Sequence, residues 1–132
     1  MISKFFIYCL IAVESGGQLD PSTCVGDNGA SVGCLQIQTA VIDDLNRIYP
    51  QYEFTYSDRT NVRKSIEMAF LYMTYWGERY EKRTGKKATL ETYAKIWNGG
   101  PYADRKTGVA KDNLNKYWEK VQKQIRRNQN AR

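Results

Sequence analysis

The stretch ISKFFIYCLIAVES, residues 2–15, has apolar side chains at the spacing of an α-helix. Ile7 and Ile11 lie on one side of this helix, opposite to its main apolar row. That main row consists of Ile2, Phe5, Phe6, Cys9, Leu10 and Val13. A helix that is apolar on every side is typical of the interior of a folded domain. Residues 2–15 therefore predict a buried central helix.

The remaining residues predict a mostly α fold of about five helices, organised as a single domain over residues 1–132. Residues 16–33 are rich in Gly, Ser, Asp and Asn, which indicates an irregular loop or short hairpin after the first helix. Apolar periodicity and helix-ending signals predict further helices at Thr39–Ile48, 58–83, 89–97 and 112–127. At 132 residues the chain is long enough to bury one core without disulfide bonds.

The charged residues limit which catalytic reactions and which binding partners the chain can have. The chain has 20 basic and 14 acidic residues, a formal net charge of +6 and no histidine. The lack of histidine excludes His-based catalytic triads and most zinc sites, so acid–base chemistry falls to carboxylates. We expect no metal and no cofactor. The positive charge favours polyanionic partners, and nucleic acid, anionic membrane and bacterial cell wall all qualify.

The three cysteines, Cys9, Cys24 and Cys34, are an odd number without CxxC spacing. This pattern argues against a zinc site and against a fully paired disulfide framework. We expect reduced thiols, with a bridge between Cys24 and Cys34 as the main alternative. At the N-terminus, Lys4 precedes an apolar run over residues 5–13 that is too short to span a bilayer. We interpret this run as the first helix and not as a signal peptide.

Glu14 ends the almost wholly apolar first helix and lies on the same side as Ile7 and Ile11. An ionised carboxylate is costly in such surroundings. Desolvation raises the pKa of a carboxyl toward the range that a general acid needs near neutral pH. The alternative is that Glu14 lies at an exposed helix end or takes part in a cap. Position alone leaves both interpretations open.

Four short elements follow one another along the chain: Glu14-Ser15-Gly16, Gly26-Asp27-Asn28-Gly29, Gly33-Cys34-Leu35-Gln36-Ile37 and Ile96-Trp97-Asn98-Gly99-Gly100-Pro101. In order and approximate spacing they resemble the goose-type lysozymes and soluble lytic transglycosylases of the lysozyme-like superfamily, over nearly the whole chain. The resemblance implies that Glu14 protonates the glycosidic oxygen of bacterial peptidoglycan. It also implies that the Gly-Cys-Leu-Gln element lines the cleft floor, with Cys34 as a core residue in the position of a leucine.

Trp97 stands where this family usually has a tyrosine that contacts the catalytic glutamate. The departure removes a phenol, although an indole can still donate one hydrogen bond or stack on a sugar. The alternative is that Trp97 is simply a buried aromatic residue of the core.

The route of cleavage remains open between hydrolysis and lytic transglycosylation. Glycosidases normally use two carboxylates, and Asp27 is the second candidate. It matches an aspartate with which the goose-type lysozymes hold the attacking water, so it favours hydrolysis. A further aspartate of that family is replaced here by Gln38, which weakens the case for hydrolysis. The alternative for Asp27 is a plain Asp-Asn-Gly turn.

Sugar binding needs flat aromatic faces and fixed polar groups. Ser15 and Gln36 are candidates for orienting the glutamate and the substrate, and the other candidates lie in or beside the Trp97 element. The predicted substrate-binding residues are Ser15, Gln36, Tyr93, Trp97, Asn98 and Tyr102. Trp76 and Trp118 lie on helical stripes and are expected in the core.

Two classes of function fit these observations. The first is a peptidoglycan glycosidase, cleaving by hydrolysis or lytic transglycosylation. The second is a catalytically inactive lysozyme-like module that binds the cell envelope or another polyanion. The basic tail after Glu119 is typical of a solvated helix face, or of contact with an anionic wall. We expect a monomer with no nucleic-acid partner that acts on the cell wall, in the periplasm or outside the cell. A phage endolysin made in the cytoplasm and then released fits this expectation.

Overall fold

The computed structural model describes residues 2–17, 25–26 and 29–130. Within these residues it has five α-helices, α1 (Lys4–Ser15), α2 (Thr39–Ile48), α3 (Val62–Thr84), α4 (Leu90–Gly99) and α5 (Gly108–Asn130). Two short strands follow α1, namely β1 (Val25–Gly26) and β2 (Ser31–Val32). Short 3-10 helices lie between the α-helices, at η1 (Pro50–Tyr52), η2 (Tyr56–Thr60) and η3 (Ala103–Arg105). The predicted mostly α fold with a hairpin after the first helix is confirmed.

Contacts between Cα atoms divide the chain into two compact units. The first unit comprises Met1–Leu10 and Met73–Arg132, and the second comprises Ile11–Tyr72. Helices α1 and α3 each continue from one unit into the other.

Helix α1 begins two residues later than predicted because Ser3 caps it. The Ser3 hydroxyl oxygen accepts a hydrogen bond from the backbone N–H of Phe6, at 3.2 Å. The predicted burial of this helix is confirmed for Phe6, Ile7, Cys9, Leu10 and Ile11. Phe5 and Val13 of the main apolar row are only half-buried, and Tyr8 is 48% exposed.

The second unit contains the hairpin and α2. Strands β1 and β2 pair antiparallel, with Val25 opposite Val32 and Gly26 opposite Ser31. Helix α2 has the predicted bounds. Asn46, within α2, closes the loop around η1 that follows, because its side-chain amide donates to the carbonyl of Phe54 at 2.8 Å and accepts from the N–H of Phe54 at 3.0 Å.

Helix α3 begins at Val62, so the predicted start at residue 58 is wrong. Asp58 instead belongs to η2, where it forms a capping box with Thr55 and accepts the Thr55 N–H at 2.9 Å. Asn61 then caps α3 by accepting the N–H of Lys64 at 2.9 Å. These side-chain caps divide the segment into two helices, η2 and α3. The apolar period starts only at Val62, so it does not reveal that residues 58–60 belong to a separate helix. The end of α3 lies within one residue of the prediction.

In the first unit, the predicted cap at Thr89 is confirmed, since Thr89 and Thr92 exchange backbone-to-side-chain hydrogen bonds at 3.0 and 3.3 Å. Helix α4 ends at Gly99 and packs against α5. Helix α5 is longer than the predicted 112–127 at both ends. Residues 109–111 contain no helix breaker, and near the C-terminal end the Asn128 side chain donates to the sulfur of Cys9 at 3.5 Å. The described part of the chain has no helix long and apolar enough to cross a membrane.

The cysteines Cys9 and Cys34 are both buried. Cys9 carries a free thiol, and burial raises its pKa, while the hydrogen bond from Asn128 has a smaller, lowering effect. Cys34 is 2% exposed, so its expected place in the core is confirmed. Cys24 lies outside the described residues, so its expected reduced state stays a prediction and the bridge to Cys34 stays the alternative.

Candidate active site

Glu14 lies in the last turn of α1, directly before Ser15. Ile7 and Ile11 precede it on the same side of the helix, and both are buried. Glu14 itself is half-buried. Glu14 therefore continues an apolar row of α1 at a half-buried position.

Ser15 directs its hydroxyl to the helix backbone. The hydroxyl donates to the carbonyl of Ile11 at 3.1 Å, and the N–H of Gly17 donates to the same carbonyl at 3.4 Å. Gly16 and Gly17 have positive φ values of 65° and 83°, which let the chain turn away from the helix. Ser15 thus helps to end α1 directly after Glu14, and its role toward substrate stays a prediction.

The Gly-Cys-Leu-Gln element, residues 33–36, forms a tight turn between Val32 and Ile37. These two residues exchange both backbone hydrogen bonds, at 3.2 and 3.0 Å. Gly33 has a φ of 89°, and a Cβ added there would overlap the carbonyl oxygen of Arg59. The position therefore requires glycine, because both the left-handed backbone and the close approach exclude a side chain.

Gln36 braces this turn with its side chain. Its φ of 52° is uncommon for a residue other than glycine. The amide nitrogen Nε2 donates to the carbonyl of Gly33 at 2.9 Å. The amide oxygen lies against Gly26 of β1, where an added Cβ would collide with it. Gln36 thus joins the turn to the hairpin, and its predicted contact with substrate remains untested.

Arg59 holds the hairpin and the turn together. Its Nε donates to the carbonyl of Tyr56 at 2.8 Å. Its Nη1 donates to the carbonyls of Ile37 at 3.1 Å and Ala30 at 3.3 Å. The sequence does not indicate the role of Arg59, because no local pattern shows that a side chain on η2 reaches carbonyls 22 and 29 residues earlier.

The first unit contains the candidate residues of α4. Trp97 is only 9% exposed, so the structure places it among the buried residues, as in the core alternative. Tyr93 is half-buried, and its ring packs on Gly77, where an added Cβ would collide with it. Burial raises the pKa of Tyr93, with smaller effects from Glu81 and Glu78. Asn98, next to Trp97, is exposed.

Tyr102 belongs to a cluster of cations and aromatic rings at η3. Its ring is 51% exposed and lies 5.2 Å from the guanidinium of Arg83 and 5.0 Å from that of Arg105. Trp76, which was expected in the core, is half-buried, and its ring centroid is 6.2 Å from that of Tyr102. Arg83 also forms a bidentate ion pair with Asp104, at 2.9 and 2.8 Å. This hydrogen bond, more than the charge of Arg83, lowers the pKa of Asp104.

The predicted site residues are thus distributed over the two units. Glu14, Ser15 and Gln36 belong to the second unit. Those of the first unit are Tyr93, Trp97, Asn98 and Tyr102. Asp27 lies outside the described residues. Within the ranges that the structure describes, no group of three or more His, Cys, Asp or Glu side chains could hold a metal ion.

No family model matches this chain. The chain is similar to Lysozyme 1 of Crassostrea virginica, with 31% identity over 125 residues. The matched region covers 94% of this chain and 60% of that protein, so the chain spans about 60% of the length of the curated relative that it matches. This similarity supports a lysozyme-like family.

Proposed function

We propose that this chain is a peptidoglycan-degrading glycosidase, acting as one catalytic domain over residues 1–132, with Glu14 as its general acid. The observation that carries the proposal is the half-buried position of Glu14 at the end of α1, in a chain similar to a lysozyme. The bond cleaved is the β-1,4 linkage between N-acetylmuramic acid and N-acetylglucosamine. The enzyme acts as a monomer on the bacterial cell wall, and release as a phage endolysin is one route to that substrate.

The surroundings of Glu14 support its role as an acid. The buried side chain of Ile11 lies one turn earlier on the same side of α1, so an apolar side of the helix leads up to Glu14. Glu14 is also at the C-terminal end of α1, where the helix dipole places partial negative charge and disfavours an ionised carboxylate. A carboxyl that keeps its proton can donate it to the leaving glycosidic oxygen.

For the attack on the anomeric carbon we favour hydrolysis, with Asp27 holding the water. An inverting mechanism needs one carboxylate that activates water opposite the general acid, and Asp27 supplies that group in the sequence. This is the chemistry of the goose-type lysozymes that the motifs resemble. In the competing route, the substrate's own hydroxyl attacks, as in the lytic transglycosylases, and Glu14 acts first as acid and then as base.

The proposed substrate-binding residues differ in exposure, and we assign them different roles accordingly. Asn98 and Tyr102 are exposed and supply a polar group and a flat ring, as a sugar requires. Trp97 is buried near the end of α4, and half-buried Tyr93 packs its ring on Gly77 of α3, so both have a supporting role. Gln36 acts through the loop that it braces, together with Ser15 at the end of α1.

Glu14→Gln tests the general acid. The amide keeps the shape of the side chain but has no proton to give, so cleavage of purified walls should fall by about two to four orders of magnitude. Turbidity of the wall suspension measures the rate, and circular dichroism checks the fold. Glu67→Gln, a change of the same type at an exposed position on α3, is the control and should leave the rate unchanged. A folded Glu14→Gln protein with normal activity would remove Glu14 from the mechanism.

Mass spectrometry of the digestion products tests the route. Hydrolysis leaves reducing muropeptides, and Asp27→Asn should then slow their release severely. Asp112→Asn, at an exposed position of α5, is the control. Anhydro-sugar ends from the wild-type enzyme, together with an active Asp27→Asn protein, would assign the lytic transglycosylase route instead.

A further inference from the structure

Gln36 has a strained backbone conformation in the turn formed by residues 33–36. Its φ of 52° lies in the left-handed region, which costs energy for a residue other than glycine. Gly33, at the start of the same turn, adopts its φ of 89° without this cost. Backbone strain persists only where the surrounding structure enforces it, and it clusters at ligand-binding and catalytic sites. A glutamine in place of glycine at position 36 therefore points to a contribution of the side chain that offsets the strain.

Gln36 is also the part of this turn that a ligand can reach. Residues 33–35 are buried, whereas Gln36 is half-buried. Its amide nitrogen Nε2 donates to the carbonyl of Gly33 at 2.9 Å, and its amide oxygen lies against Gly26. These contacts fix the side chain relative to the turn. The position of the amide therefore depends on the position of the turn.

Arg59 holds both ends of the turn. At its end, Nη1 of Arg59 donates to the carbonyl of Ile37 at 3.1 Å. At its start, the carbonyl oxygen of Arg59 lies directly against Gly33, where an added Cβ would overlap it. Arg59 is itself fixed to α3, because the hydroxyl of the buried residue Ser65 donates to the same carbonyl oxygen at 3.1 Å. The turn is thus held in place from α3 through one residue.

A guanidinium suits this task because its donors form a rigid planar fork. The donors of Arg59 reach three backbone carbonyls, one in η2, one in the hairpin and one directly after the turn. We propose that Arg59 is a positioning residue of the substrate-binding surface. By fixing the turn, it makes Gln36 meet a sugar of the glycan strand in one conformation, and it does not touch the sugar itself. This role rests on the proposed function, which makes Gln36 a substrate-binding residue.

Steady-state kinetics separate a positioning role from a merely structural one. The substrate is a soluble tetrasaccharide of alternating N-acetylglucosamine and N-acetylmuramic acid. The variants are Arg59→Lys, Gln36→Gly and the double variant that carries both changes. The control is Asn46→Ala, since the Asn46 amide also makes two hydrogen bonds to backbone groups of the second unit, both in Phe54. A merely structural defect lowers the folded fraction and so the apparent kcat, but it leaves the KM of the folded molecules unchanged.

We expect Arg59→Lys to raise KM about 3- to 10-fold, as for one lost hydrogen bond to the sugar, and to leave kcat per folded molecule within about twofold. Gln36→Gly should raise KM by a similar factor. The double variant should raise it no further, because both changes act on the same turn. Asn46→Ala should leave KM unchanged. An unchanged KM in Arg59→Lys, an equal rise in Asn46→Ala or multiplied effects in the double variant would overturn the proposal.

Calorimetric titration with the same tetrasaccharide distinguishes this proposal from the proposed glycosidase. If the wild type binds the tetrasaccharide without cleaving it, the glycosidase is refuted, and Kd takes the place of KM in the same comparison of variants. If the wild type cleaves it but KM does not respond to Arg59→Lys, the positioning role is refuted and the glycosidase stands. A wild-type protein that neither binds nor cleaves the tetrasaccharide would refute both.

Discussion

Arg59 in the second unit and Arg83 in the first each hold an irregular segment, but they bind different acceptors. Arg59 donates to three backbone carbonyls, those of Tyr56, Ile37 and Ala30. Arg83 donates twice to the carboxylate of Asp104. A carbonyl accepts at any pH, whereas a carboxylate loses its charge in acid. The hydrogen bonds from Arg59 that hold the loop with Gln36 are therefore independent of pH. The ion pair between Arg83 and Asp104 that holds η3 is lost when the carboxylate is protonated in acid.

The largest loss of stability is expected at Gly33, where the backbone packs directly on the backbone of Arg59 in the second unit. Gly33→Ala combines a left-handed φ with overlap onto the carbonyl of Arg59, so we expect a loss of about 2–5 kcal/mol in unfolding free energy. Gly29→Ala is a matched control, because Gly29 has a φ of 92° but open space around an added Cβ. It should cost about 1–2 kcal/mol, from backbone strain alone. Urea unfolding measures both, and equal losses would mean that the close approach to Arg59 is unimportant.

Replacing each arginine by lysine compares directly how much Arg59 and Arg83 contribute to stability. Lysine keeps the charge but lacks the rigid planar fork of donors with which arginine reaches several fixed acceptors. Arg59→Lys leaves partly buried carbonyls without their donor and should cost about 1–3 kcal/mol. Arg83→Lys weakens a partly exposed ion pair and should cost less than about 1 kcal/mol. Denaturant midpoints measured near neutral pH check the order, and a larger loss for Arg83→Lys would reverse our comparison.

The smallest expected effect is the loss at low pH of the stability that the ion pair between Arg83 and Asp104 contributes. Because Arg83 lowers the pKa of Asp104 below its usual 3.8, the pair contributes its full stability above that value. The contribution is lost as pH falls through the lower, folded-state pKa. Asp104→Asn should therefore cost about 0.5–1 kcal/mol near neutral pH and almost nothing in strong acid. The cost of Arg59→Lys should stay constant over the same pH range. Unfolding free energies measured as a function of pH check this prediction. It would be contradicted if the costs of Asp104→Asn and Arg59→Lys declined together as the pH falls.

The sequence predicted the helical elements well where local signals specify them. The bounds of α2, the cap at Thr89 and the end of α3 near Gly85 depend on residues within one or two turns of each other. The start of α3 was wrong because the side chains of Thr55, Asp58 and Asn61 end one helix and begin another. In the candidate site, the place of Glu14 after an apolar row left open whether it was desolvated or at an exposed helix end, and the structure shows it half-buried.

The sequence by itself determined that this chain is mostly α and that Glu14 ends a buried helix. Each of these follows from apolar periodicity or from residues adjacent in the chain, and so from local geometry. Only the tertiary structure decided that Arg59 reaches Ala30 and Ile37, that Gly33 packs on a carbonyl, and that Arg83 and Arg105 lie over Tyr102. These contacts join residues far apart in the chain, and their partners are set by how segments pack, which no local spacing encodes.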